Sequence, residues 1–128
     1  MLKTILLLGT GGFIGSNLRY FAGKLVQSIS GNEFPWGTFI INITGSTLLG
    51  FIFFISLSGN KISENTRLFL GTGLLGAFTT FSTFSLETVQ LFKKGLGLQA
   101  GLNIVLNLGV GLLGVLGGMA LAKLILSR

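Results

Sequence analysis

Residues 68–92 constrain this chain more than any other stretch. Between Arg67 and Lys93 only Glu87 is formally charged, so the run is long and apolar enough to cross a bilayer, which takes about 20 residues. Yet Gly71 to Glu87 holds six hydroxyls, three phenylalanines and three glycines. A hydrocarbon core does not accept such groups unless protein or water receives them. The segment must face other helices or a polar pathway, and a multi-helix membrane protein supplies both.

Three more apolar runs, 5–23, 35–57 and 98–126, have membrane length. All four are continuous rather than alternating, which reads as helix. The expected architecture is an all-α integral membrane protein of one domain, residues 1–128, with four transmembrane helices, multi-pass in the cell membrane. The net charge of +6 comes from Lys and Arg scattered at helix ends, not gathered on one face as a nucleic-acid site would need. With four spans, Lys3, Lys61, Arg67, Lys123 and Arg128 share one side, against Lys24, Lys93 and Lys94 on the other. That bias is weak, so orientation is poorly specified. Cysteine and histidine are absent and the only carboxylates are Glu33, Glu64 and Glu87, so acid–base pairs and metal-ligand clusters cannot be assembled. The chain is read as a non-enzyme.

Gly9, Gly12 and Gly15 imitate a dinucleotide-binding turn, but no βαβ unit follows. Gly11 and Gly15 serve better as a small-xxx-small face for a neighbouring helix, as do Gly114 and Gly118. Arg19 lies near the end of the first span, where an arginine can snorkel to the interface. Residues 24–34 read as a polar connection. In the second span Thr38, Asn42 and Ser46 recur at i, i+4, i+8, and in the fourth Asn103, Asn107 and Gly111 do the same. In the third, the pairing of Gly76 with Thr79 and Thr80 predicts a break near mid-span. Freed carbonyls there are tolerated when buried or when they coordinate an alkali cation.

Phe81 and Phe84 share a helix face, and Thr80, Thr83 and Glu87 line the adjacent one. Counting depth from the surface marked by Lys24, Pro35, Lys93 and Gly97 puts Arg19, Asn42, Glu87 and Asn103 at one level, a candidate vestibule. Phe81, Phe84 and Asn107 lie deeper. Arg19, the amides of Asn42 and Asn107, the hydroxyls of Ser82 and Thr83 and the ring edges of Phe81 and Phe84 are donors or positive edges, a set suited to a small anion. Arg19 and Glu87, at similar depth, are expected to pair or share a polar network.

The stretches Gly11 to Tyr20, Pro35 to Gly45 and Gly76 to Glu87 together resemble the Fluc (CrcB) fluoride channels, over essentially the whole chain. The resemblance implies passive, selective fluoride export by an antiparallel, dual-topology homodimer with two pores and a structural sodium ion at its centre. It implies Asn42 as pore asparagine, Phe81 and Phe84 as fluoride-contacting rings, Ser82 and Thr83 as a polar track, and the carbonyls of Gly76 and Thr79 as sodium ligands; the polar stripe and the donor set read from the residues add Thr38, Asn107 and Arg19 to the expected pore. Asn103, Asn107 and Gly111 depart from the tyrosine or serine the family often presents on its fourth helix. Competing readings are a proton-coupled small multidrug-type transporter, which works through a first-helix carboxylate that this chain lacks, and a non-transporting scaffold.

Overall fold

The computed structural model describes residues 1–31, 33–59 and 62–127. Lys61 and Arg128, two of the charges used to weigh orientation, lie outside them. Every described element is helical: α1 (Leu2–Ser30), α2 (Trp36–Leu57), α3 (64–78), α4 (Phe81–Lys93) and α5 (Gly97–Leu126). Three helices are long and apolar enough to cross a membrane: Trp36–Leu57, Glu64–Lys93 taken through its break, and Gly97–Leu126. α1 has the length but carries Lys3, Ser16, Asn17, Arg19, Lys24 and Gln27 among its apolar residues.

α1 runs past the expected connection at residue 24. Nothing from Lys24 to Ser30 stops a helix; Gly31, at φ 86°, does. Gln27 then ties the corner. Its Nε2 donates to the carbonyls of Gly31 and Phe34, and its Oε1 accepts from Gly37 N–H at 3.0 Å. α3 opens on Ser63, whose Oγ accepts from Thr66 N–H at 3.1 Å, with Glu64 in the first turn beside the positive helix end. From Leu68 to Leu75 its turns widen to π geometry, as do those of α5 from Leu106 to Val110.

Glycines set the helix spacing. A methyl at Gly11 would stand 2.7 Å from the Phe69 carbonyl oxygen, and one at Gly15 would meet the Leu74 carbonyl, so α1 lies backbone to backbone on α3. Gly50 and Gly118 do the same where α2 crosses α5, against Val115 and Thr47. Both predicted small-residue faces are therefore contact faces. The apolar core is small, Ile41, Leu75 and Phe78 with Ala22, Ile52 and Leu74 around it. Most remaining large apolar side chains point outward, as a bilayer or a partner requires.

Candidate ion pathway at the helix break

Thr79 (φ −79°, ψ 159°) and Thr80 (φ −152°, ψ 117°) are extended and separate α3 from α4. The break falls where the threonines predicted it. Thr80 caps the new helix: its Oγ1 accepts from Thr83 N–H at 3.2 Å and lies 3.0 Å from Thr83 Oγ1 and 3.3 Å from Ser82 Oγ. In an uninterrupted helix Thr80 N–H would donate to the Gly76 carbonyl. Here it donates to Asn42 Oδ1 at 2.8 Å, and Asn42 Nδ2 returns a bond to the Thr80 carbonyl at 3.1 Å. The asparagine pairs with Thr80 as a neighbouring strand would, and Gly76 loses its helical donor.

Two cavities meet at Thr80. The larger, about 490 Å³, lies between α1, α2 and α4 and is lined by Arg19, Lys24, Thr38, Thr80, Thr83 and Glu87, among others. Thr38 Oγ1 donates to Glu87 Oε1 at 2.8 Å, while Glu87 Oε2 is buried with no hydrogen-bond partner among the described residues. Arg19 Nη1 reaches the Thr79 carbonyl at 3.4 Å. The smaller cavity, about 210 Å³, is lined by Asn42, Ser46, Thr80, Phe81, Phe84 and Asn107, among others. The two rings stand 5.4 Å apart between centroids, tilted by 57°. Phe84 is 6% exposed and Phe81 is 71% exposed, so one face of the ring pair opens off the chain.

The vestibule expected from depth divides. Arg19 and Glu87 share the larger cavity, without an ion pair between them. Asn42 faces the smaller one, and Asn103 lines neither: it is fully buried and donates to Thr88 Oγ1 at 2.9 Å. Depth along a helix does not fix rotation about it, and α5 turns Asn103 into its seam with α4. Thr88 was not singled out in the sequence. Its signal was there: Phe81, Phe84, Thr88 and Leu91 fall at i, i+3, i+7 and i+10 on α4, and all but Phe81 are buried. Lys24, read as a topology marker, also lines the larger cavity, with its ammonium 5.9 Å from the Tyr20 ring centre.

Chemically, the larger cavity offers cationic and hydroxyl donors at its wall beside the Glu87 carboxylate, and the smaller one offers two aromatic edges and an Asn42 amide whose hydrogens are already bonded to Thr80 and Asn107. Hydroxyls, amides, a guanidinium and ring edges hold and pass an anion without any bond-making group.

A family model described as CrcB-like protein, Camphor Resistance (CrcB), matches residues 6–119. The chain is 45% identical over 120 residues to the fluoride-specific ion channel FluC of Clostridium novyi, covering 94% of each protein. It is 47% identical over 123 residues to the protein of the same name from Ruminiclostridium cellulolyticum, covering 96% of this chain and 95% of the relative. With that of Rhizobium meliloti it shares 42% over 119 residues, 93% of this chain and 95% of the relative. On this similarity along nearly its whole length, the chain belongs to the CrcB-like family, as a multi-pass protein of the cell membrane.

Proposed function

We propose that the chain is a passive, fluoride-selective channel that lets fluoride out of the cell. The observation that carries this is the helix break walled by Asn42, Thr80, Phe81 and Phe84, in a chain whose relatives are named fluoride-specific ion channels. An unaccompanied anion in hydrocarbon costs tens of kcal/mol, on the order of the Born estimate, and a line of donors from Arg19 through Thr83 and Ser82 to the rings lowers that cost. The subunit spans four times, α1 included, and works as an antiparallel, dual-topology homodimer. The exposed Phe81 ring and the outward apolar side chains of α1 support a partner there.

A sodium ion at the dimer centre belongs to this reading. The Gly76 carbonyl, which lacks the Thr80 N–H it would take in an unbroken helix, is a hard oxygen of the kind an alkali cation takes. The Thr79 carbonyl accepts from Arg19 only at 3.4 Å and keeps a second lone pair. Such an ion would hold the two broken helices together and take no part in passing the anion.

Reconstituted liposomes loaded with fluoride or chloride test the channel. Fluoride should leave rapidly down its gradient with no ion gradient coupled to it, and chloride should stay. Equal efflux of the two, or none of either, rejects the reading. A structure resolving the dimer axis with parallel subunits rejects the assembly.

A further inference from the structure

Hydrogen bonds run head to tail from the helix break, across α2 and α5, and back to α4. Thr80 N–H donates to Asn42 Oδ1 (2.8 Å), Asn42 Nδ2 to Asn107 Oδ1 (3.0 Å) and Asn107 Nδ2 to Asn103 Oδ1 (2.8 Å). Asn103 Nδ2 then donates to Thr88 Oγ1 (2.9 Å), and Thr88 Oγ1 to the Phe84 carbonyl (2.8 Å). Every amide accepts from one neighbour and donates to the next, so the bonds share one direction and each polarises the one beside it. The ladder starts at the cap of α4 and ends on its first turn, enclosing the stretch that carries Phe81 and Phe84.

Its members have little left to offer a permeating ion. Both hydrogens of Asn107 Nδ2 go to Asn103, one to the side chain and one to the backbone carbonyl at 3.1 Å. Both hydrogens of Asn42 Nδ2 are also used, on Thr80 and on Asn107. Exposure is 0% at Asn103, 6% at Thr88 and 8% at Asn107, so water cannot replace a lost partner. Removing one rung leaves the next amide unsatisfied and free to turn.

We propose that Asn103, Asn107 and Thr88 are positioning residues: through this ladder they fix the Asn42 amide in the orientation that draws Thr80 N–H away from Gly76 and holds the break open. Asn42 is thereby set from behind, and its bond to Asn107 is the one an anion in the smaller cavity would compete for. The consequence for conduction rests on the reading of the chain as a fluoride channel; the consequence for the Thr80 backbone does not.

The test uses the full chain in lipid with two readouts, amide hydrogen exchange at Thr80 and fluoride efflux. Thr88→Val keeps the volume and removes a hydroxyl that lines neither cavity; it should speed Thr80 exchange and slow efflux several-fold, and Thr88→Ser should restore both. Asn103→Leu and Asn107→Leu should each slow efflux by roughly tenfold, the worth of a buried hydrogen bond. The double variant should be no slower than Asn107→Leu alone, because both break one ladder. Unchanged Thr80 exchange in Thr88→Val and Asn103→Leu, or losses that multiply in the double variant, reduces these residues to ordinary glue between α4 and α5. Failure of the wild-type chain to pass fluoride would refute the channel reading, while Thr80 exchange still decides the ladder.

Discussion

The break at Thr79–Thr80 and the widened turns at Leu106–Val110 are joined by the Asn42–Asn107 bond, and each interrupts a membrane helix in a different way. At the break the backbone leaves helical space altogether: Thr80 N–H and the Gly76 carbonyl lose each other, and a side chain from α2 must stand in. In α5 the residues flanking the widened turns keep helical dihedrals, Val105 at φ −61°, ψ −43° and Gly111 at φ −60°, ψ −47°, and Gly111 N–H still reaches the Asn107 carbonyl. One interruption depends on the rest of the molecule and exposes backbone polar groups. The other keeps its bonds at the widened turns within its own helix. The break in this chain is held by a partner from outside its own helix, Asn42, as a membrane interior without water to take orphaned backbone groups requires.

Asn42→Leu attacks that dependence most directly. It strands both backbone groups of Thr80, and an unpaired buried group costs about 1–3 kcal/mol, so fluoride efflux should fall by roughly 100-fold. The protein should still elute as a folded species of unchanged size. Wild-type efflux would show that the break holds itself, as the α5 turns do.

Phe81→Ile and Phe84→Ile leave the backbone of the break alone and change only what it displays. Volume is nearly conserved, so folding should survive, while loss of the ring edges should slow efflux by about tenfold. If both variants conduct normally, the rings are packing and the break's display is confined to its amide and hydroxyls.

The smallest effect is expected in α5. A methyl at Gly109 meets nothing within 4 Å, so Gly109→Ala should leave efflux unchanged and raise thermal stability slightly, by up to about 1 kcal/mol from helix propensity. A large loss of efflux there would mean that the widened turns are as dependent on their surroundings as the break.

Much of the ingredient list for the site was legible beforehand. Thr79 and Thr80 marked the break because β-branched threonines beside glycine weaken a helix, and the spacing of Phe81 with Phe84 and of Thr80, Thr83 and Glu87 placed them on two faces that now line two cavities. Depth alone argued that Arg19 and Glu87 pair or share a polar network and that Asn103 joins their vestibule; the first two do line one cavity, each bonded to a different partner, while the rotation of α5 turns Asn103 away to Thr88.

By itself the sequence determined that this chain must be helical and membrane-bound, since residues 68–92 cannot be satisfied any other way, and it determined which glycines lie at helix crossings, because Gly11 with Gly15 and Gly114 with Gly118 repeat at helical spacing. What only the tertiary structure decided is who satisfies whom. An amide accepts and donates equally well in many directions, so nothing local says that Asn42 will take Thr80 N–H rather than a ligand, or that Asn103 will turn to Thr88 rather than to Glu87. Those choices follow from how the helices pack: Gly50 and Gly118 let α2 and α5 meet backbone to backbone, and Gly45 of α2 receives the side chains of Phe78 and Thr79 at the break, contacts that belong to no single helix.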